Sequence, residues 1–324
     1  ARTSLRLKSP PPSSPKRILM SENLKIWMNG EVVPWQNAQV HLMTHALHYG
    51  SSVFEGIRAY DSHHGTVIFR LKEHIERLFY SASVYHMTIP WTFDEIMAAC
   101  HQAVAMNHLE QGYLRPSIWK GMNGLALHTG AQTRIDTAVI AMEWNNFLGE
   151  SAQKNGIRAC VCSWNRLAPN TMPPGVKAGG NYLSSQLIGL EARDRGFDEG
   201  IGLGTDGLLS EGAGENIFIV KKGRLLTPPA SASILSGITR DTVMTLAARL
   251  GIETQETTIS REQLYGADEI FMTGTAAEVT PVRQVDHMVI GEGTCGPLTH
   301  TLQDEFFGLF NGKTADDWGW LEPI

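Results

Sequence analysis

Apolar positions recur along this chain at two spacings, and their interleaving sets the expected fold. Lys25-Ile26-Trp27-Met28 and Glu31-Val32-Val33-Pro34-Trp35 flank Asn29-Gly30, the preferred two-residue turn of a β-hairpin. Residues 66–70 read as a strand. Residues 72–86 read as a helix with Ile75, Leu78, Phe79 and Ala82 on one face. A second helix is expected near Thr92, whose hydroxyl and Glu95 fit a capping box, with Ile96, Cys100, Ala103 and Val104 turned inward. Strands follow at 114–119 and 137–143. Periodicity is lost over 145–153, which reads as a linker. Beyond it the pattern predicts a strand at 157–164, a helix at 182–195 stopped by Gly196, and short β segments through Leu226. A helix at 239–250 stopped by Gly251, a short helix capped by Ser260 and Gln263, a strand at 269–273 and a last helix at 297–310 complete it. No regular βαβ rhythm appears, so the expected class is α+β: a small N-terminal α/β domain over 20–144, a linker over 145–153 and a larger C-terminal domain over 154–324.

Composition narrows the function classes. With 324 residues, 42% hydrophobic and 19% charged, the chain has the make-up of an ordinary globular protein, and no apolar run is long enough to span a bilayer. The net charge is −6, although Arg2, Arg6, Lys8, Lys16 and Arg17 crowd the first twenty residues without an acid among them. The rest is therefore more acidic than the total, which argues against nucleic acid as a partner. Residues 1–19, rich in Pro, Ser and Arg, are expected to be disordered and to form an extension ahead of a natural start at Met20. A transit peptide shares their bias, but Pro10-Pro11-Pro12 spoils an amphipathic helix. Cys100, Cys160, Cys162 and Cys295 lack metal-site spacing and read as reduced thiols of a cytoplasmic protein; Cys160 and Cys162 would share one face of a strand.

Several tempting motifs carry little. Gly202, Gly204 and Gly207 match a dinucleotide-binding pattern, but no helix follows and Thr205-Asp206-Gly207 reads as a hairpin turn. Gly291, Gly293 and Gly296 precede a helix, but the chain ends before a second parallel strand could follow. His41, His45 and His48 are spaced to share a helix face without a carboxylate to complete a zinc pattern, so no metal is expected. No GxSxG elbow suggests a serine hydrolase.

The informative segment is Lys177-Ala178-Gly179-Gly180-Asn181-Tyr182. A lysine becomes a catalytic nucleophile when a carbonyl cofactor captures it as a Schiff base. Two glycines leave the adjoining backbone open to close approach by a flat ligand, and Tyr182 can aim a phenol at it. About thirty residues on, Ser210-Glu211-Gly212-Ala213-Gly214-Glu215-Asn216 offers carboxylates among small residues. A lysine for the aldehyde and an acid for the ring nitrogen are what pyridoxal 5′-phosphate requires.

With these segments, His45-Ala46-Leu47-His48-Tyr49-Gly50, Val53-Phe54-Glu55-Gly56-Ile57-Arg58, Gly237-Ile238-Thr239-Arg240-Asp241 and Gly274-Thr275-Ala276-Ala277-Glu278 occur in order. The chain resembles the branched-chain amino-acid aminotransferases, bacterial type, from about Met28 to Trp320. The resemblance implies a two-domain, fold type IV (D-amino-acid aminotransferase-like) enzyme with pyridoxal phosphate in the interdomain cleft. It also implies at least a homodimer, with some bacterial members hexameric, since a neighbouring subunit completes each site.

It further implies roles. Lys177 resembles the Schiff-base lysine and the group that shuttles a proton between substrate Cα and cofactor C4′. Glu211 resembles the partner of the pyridine nitrogen, whose pKa a nearby carboxylate raises, with Glu215 a competing candidate. Tyr182 is expected at the phenolate oxygen; Arg77, Ile238, Thr239 and Thr275 at the phosphate. Phe54, Gly56 and Trp144, with Leu125 and Leu127 from the neighbour, resemble the apolar substrate pocket. The neighbour's Tyr49, together with Arg115, resembles the edge that meets a glutamate side chain. Tyr113 and the N–H groups around Thr275, Ala276 and Ala277 are expected at the α-carboxylate. Phe147 stands where a tyrosine is expected, and Ser236 where a proline often precedes Gly-Ile-Thr. The implied reaction exchanges the amino group of L-leucine, L-isoleucine or L-valine with 2-oxoglutarate. The alternatives are a D-amino-acid aminotransferase, an aminodeoxychorismate lyase or, remotely, a non-catalytic pyridoxal-phosphate-binding protein.

Overall fold

The computed structural model describes residues 23–130, 133–144 and 150–324. The first half builds an antiparallel sheet from Lys25–Met28 (β1), Glu31–Pro34 (β2), Ser52–Phe54 (β3), Ile57–Ser62 (β4), Gly65–Phe69 (β5), Gly112–Lys120 (β6) and Ile135–Met142 (β7). Its order is β5-β4-β6-β7-β1-β2, with β3 on β6. The β1–β2 turn uses Asn29 and Gly30 at φ 51° and 89°, the left-handed pair that the hairpin requires. The short helix α1 (His45–Tyr49) precedes β3. Helices α2 (Leu71–Val84) and α3 (Phe93–Met106) cover the sheet through Ile75, Leu78, Ile96 and Val104, which pack on Ile57, Leu114 and Ile118. The Thr92–Glu95 capping box forms as expected.

The second half begins with helix α4 (Glu150–Asn155) and strand β8 (Ile157–Val161). The expected linker at 145–153 thus ends in a helix from Glu150, which is too short to show an apolar period, while 145–149 lie outside the described residues. Helix α5 (Tyr182–Asp194) precedes β9 (Glu199–Leu203), β10 (Leu209–Gly212), β11 (Asn216–Lys221) and β12 (Arg224–Thr227). Helix α6 (Ile238–Arg249), strand β13 (Thr254–Glu256), helix α7 (Arg261–Tyr265), strands β14 (Glu269–Gly274) and β15 (Glu278–Val285) and helix α8 (Pro297–Asn311) follow. The sheet runs β10-β9-β8-β15-β14-β11-β12-β13 and is mixed: β8 is parallel to both β9 and β15, and β12 to β13.

The two sheets share a core. Tyr60, Val67 and Phe69 of the first sheet pack against Phe306, Leu309 and Phe310 of α8, which also meet Phe218 and Phe271 of the second. Segment Leu321–Pro323 then pairs with β5, so the end of the chain adds a strand to the first sheet. Arg70 joins the halves at helix ends: its Nη1 donates to Asp241 Oδ2 (2.6 Å) and Ile238 O (3.3 Å), tying the start of α2 to the start of α6.

The histidine trio does not share a helix. Met43 N donates to His41 Nδ1 (3.0 Å) in a turn, and α1 starts only at His45, which is buried against Ser51 Oγ at 2.6 Å. Cys160 and Cys162 lie with sulfurs 3.9 Å apart, and all four cysteines are free thiols. Gly207, at φ 78°, turns β9 into β10 as its sequence suggests. The expectation for residues 1–19 falls outside the described residues.

Candidate active site

Lys177 lies on the loop before α5, between the buried Val176 and Ala178. Three neighbours fix its backbone: its N–H donates to Ser81 Oγ of α2 (3.2 Å), its carbonyl accepts from Phe54 N (3.0 Å), and Ala178 bridges to Val53. The side chain is thereby aimed at Tyr182, the first residue of α5, with Nζ 2.7 Å from Oη. The same amine lies 5.1 Å from the centroid of the Phe54 ring. A Cβ at 179 would come within 2.3 Å of Ser52 Oγ, so glycine there lets the loop pack closely on the Ser52 hydroxyl of β3.

Glu211 enters the same cleft from β10, at an irregularity in the β9–β10 register. It is buried and well bonded: Oε1 accepts from Arg166 Nη2 (2.5 Å), and Oε2 from Asn216 Nδ2 (3.0 Å) and Leu235 N (3.1 Å). Burial pushes this carboxyl above the usual range, against the opposing pull of Arg166, Leu235 N–H and Lys177. Glu215 does not line the lysine cleft, although Gly214 and Asn216 on either side of it do. It accepts from Gly214 N (3.0 Å), and burial with the nearby Glu199 charge pushes it up to about 8.

The segment after Glu211's partner Leu235 continues along the same cleft. Ser236 O accepts from Arg77 Nη1 (2.9 Å), Gly237 caps α6, and Ile238 and Thr239 open its first turn. The first N–H groups of a helix have no intrahelical partner and, with the helix dipole, favour an anion. A side chain at 237 would strike Asn216 Oδ1 at 2.0 Å, so glycine keeps that turn seated against the Glu211 cluster. Thr275, just past β14, lines the cleft as well. Lys177, Tyr182, Glu211, Arg77, Ile238, Thr239 and Thr275 all line one cleft.

The expected substrate residues divide into two groups. Strand alternation in β6 turns Tyr113 and Arg115 to one face while Leu114 and Ile118 enter the core. Arg115 Nη2 donates to Tyr113 Oη (3.0 Å) and stacks 4.6 Å over Phe54, whose ring lies 4.9 Å from that of Tyr182. Trp144 packs on Tyr113 with ring centroids 5.1 Å apart. Gly56 admits the Tyr113 hydroxyl, which would be 1.9 Å from any Cβ. A continuous wall thus runs from Lys177 through Phe54 to Arg115 and Tyr113. Ala276 and Ala277 form the turn between β14 and β15. Tyr49, Leu125 and Leu127 instead lie exposed on the surface, where Tyr49 Oη donates to Leu125 O (2.7 Å). They do not line the Lys177 cleft of their own chain. Phe147 lies outside the described residues.

Sequence reading missed Arg166, Asn216, Glu55 and His74. Arg166 and Asn216 have no local signal. Glu55 had one, an acid inside an apolar strand motif, and His74 stands one helical turn before Arg77.

The cleft offers a primary amine, a phenol, a buried carboxylate, and a guanidinium together with a helix N-terminus. That donor set fits pyridoxal phosphate: an amine for its carbonyl, an acid for its ring nitrogen and an anion site for its phosphate. Comparison with known proteins agrees. Residues 52–285 match the amino-transferase class IV family. The chain is 54% identical over 299 residues to the branched-chain-amino-acid aminotransferase of Escherichia coli K12, covering 92% of this chain and 97% of that one. A crystal structure of the Escherichia coli enzyme superposes with a TM-score of 0.92 at 54% identity, covering 93% and 99% of the two chains. The branched-chain amino acid aminotransferase from Thermobaculum terrenum, in its PLP-bound holo form, superposes at 0.87, with 34% identity and coverage of 94% and 99%. The chain belongs to the class IV aminotransferases, a fold type IV family that works with pyridoxal phosphate.

Proposed function

We infer that the protein is a branched-chain amino-acid aminotransferase. It exchanges the amino group of L-leucine, L-isoleucine or L-valine with 2-oxoglutarate in two half-reactions through one site. The observation that carries this reading is the wall from Lys177 through Phe54 to Arg115. It sets an aromatic face and a guanidinium on one side of the amine, so a single pocket can serve a hydrocarbon and a carboxylate side chain.

Bound pyridoxal phosphate supplies an electron sink for the pair left when the substrate Cα loses its proton. The protein does the rest. Lys177 Nζ would hold the cofactor carbonyl, yield it to the substrate amine, and then carry the proton from Cα to C4′. One amine that reaches both atoms suffices, and the buried residues on either side of Lys177 keep it in place. Tyr182 would orient the cofactor's phenolate oxygen and, at 2.7 Å, the amine as well. Glu211 would hold the proton on the ring nitrogen. Arg77, Ile238, Thr239 and Thr275 would anchor the phosphate. Phe54, Gly56, Tyr113, Arg115, Trp144, Ala276 and Ala277 would orient the substrate.

Two domains, 20–144 and 154–324, and at least a homodimer belong to the same reading. Exposed Tyr49, Leu125 and Leu127 support it, because these apolar and aromatic side chains lie on the surface and do not line the cleft of their own chain. A fully active monomer in sedimentation velocity would remove this part. Among the described residues no helix is long and apolar enough to cross a membrane, and we place the enzyme in the cytoplasm.

The test of the function is the visible spectrum of the purified protein. The cofactor band should bleach with L-leucine and return with 2-oxoglutarate. A band that ignores L-leucine but responds to D-alanine, or pyruvate release from aminodeoxychorismate, would select one of the rival activities.

A further inference from the structure

Glu55 is a fully buried carboxylate between Phe54 and Gly56, and no step described above uses it. Every partner it has is internal. Oε1 accepts from Arg77 Nε (2.7 Å), while Oε2 accepts from Arg77 Nη2 (2.8 Å), pairs with His74 Nδ1 (2.7 Å) and takes the N–H of Gly56 (3.3 Å). Its own N–H donates to Pro116 O of β6 (2.9 Å). Fully buried, with both oxygens held by internal partners, Glu55 does not face a ligand.

The pairing with Arg77 is fork on fork, two parallel hydrogen bonds that set the plane of the guanidinium as well as its position. Arg77 Nη1 completes the frame on Ser236 O (2.9 Å). Burial alone would raise the Glu55 carboxyl, but Arg77 and His74 outweigh it and hold the group far below the usual carboxylate range. Burial lowers the His74 pKa, against the opposing pull of Glu55. The Glu55 carboxylate offsets the charge of Arg77.

Charge alone would favour a phosphate site without a carboxylate beside its arginine. A buried acid that cancels Arg77 weakens the long-range attraction, but it offsets the lost hydration of the guanidinium and fixes its direction. We propose that Glu55 is the positioning residue of the phosphate site, fixing the Arg77 fork with its side chain while its backbone holds Phe54 and Gly56 at the substrate wall. The inference rests on reading the cleft as a pyridoxal-phosphate site. Because Phe54 N is bonded to Lys177 O, the segment 54–56 joins phosphate anchor, lysine and pocket in one rigid unit.

The two explanations, direction and charge, predict opposite signs for Glu55→Gln. The amide keeps one acceptor but releases the Arg77 charge. The experiment is equilibrium dialysis of full-length wild type and variant, starting from holoenzyme, against graded pyridoxal phosphate and, separately, against pyridoxal, which lacks the phosphate. Direction predicts that Kd for pyridoxal phosphate rises about tenfold, the worth of one charged hydrogen bond, while Kd for pyridoxal is unchanged. Glu55→Asp keeps the charge and withdraws the carboxylate by one methylene, so it must show the same phosphate-specific loss, and it serves as the readout if Glu55→Gln does not fold. Equal weakening for both ligands would reduce Glu55 to a general structural role and overturn the proposal. Unchanged or tighter pyridoxal phosphate binding would overturn it in favour of charge. A wild type that binds no pyridoxal phosphate would instead remove the reading of the cleft itself.

Discussion

Arg166 Nη2 lies 2.5 Å from Glu211 Oε1, and both side chains are buried. The arginine opposes the burial that raises the Glu211 pKa. A carboxyl that becomes neutral cannot hold a proton on a pyridine nitrogen. Arg166→Met should therefore raise the Glu211 pKa further, so the acid side of the kcat profile moves to higher pH. Protonation of Glu211 removes activity as pH falls, and a higher pKa brings that loss on earlier. An acid limb that stays in place would show that Arg166 is not what keeps Glu211 ionised.

Lys177→Ala should reduce turnover by at least about 10³-fold, near the range expected for a group that both binds the reacting carbon and moves the proton. The near-ultraviolet circular dichroism should be preserved, because the lysine's fixed contacts are made by its backbone. Retained steady-state transamination would refute the assignment.

Glu211 and Glu215 should separate in two measurements. Glu211→Gln should cost about 10²-fold in kcat, since a neutral amide cannot stabilise the protonated ring. Glu215→Gln should leave most of the rate intact and change stability instead. Glu215 is raised from 4.5 to about 8 in the folded protein, so between those values the folded state binds more protons and stability falls as pH rises. The amide removes that titration. Denaturant midpoints between pH 4.5 and 8 should show a shallower decline for Glu215→Gln than for wild type. A silent Glu211→Gln paired with a damaging Glu215→Gln would reverse the two roles.

Gly56→Ala places a methyl 1.9 Å from Tyr113 Oη, so Tyr113 must move from its hydrogen bond with Arg115. Overpacking of this kind costs about 1–3 kcal/mol. KM for L-leucine should rise by about tenfold or more while the cofactor band remains, since Tyr113 is not among the phosphate or ring contacts. Loss of the band with unchanged KM would place Gly56 in the cofactor site.

Local rules made much of this protein legible from its residues. The Asn29-Gly30 turn, the Thr92–Glu95 and Ser260–Gln263 caps and the glycine stops at 196 and 251 depend on backbone geometry within a few residues. The Lys177–Tyr182 pair is as local, because a loop that leads into a helix at Tyr182 keeps the two side chains together. The tertiary structure decided which charges are buried together. Glu55 meets Arg77 across 22 residues and Glu211 meets Arg166 across 45, while the buried Arg70 reaches the exposed Asp241 across 171. A buried charge needs a partner to offset its lost hydration, and any arginine that folding brings close can supply it. Periodicity says which side of an element is buried but not which distant side chain waits there. The ion pairs that orient this cleft therefore became visible only once the elements within each half were packed together.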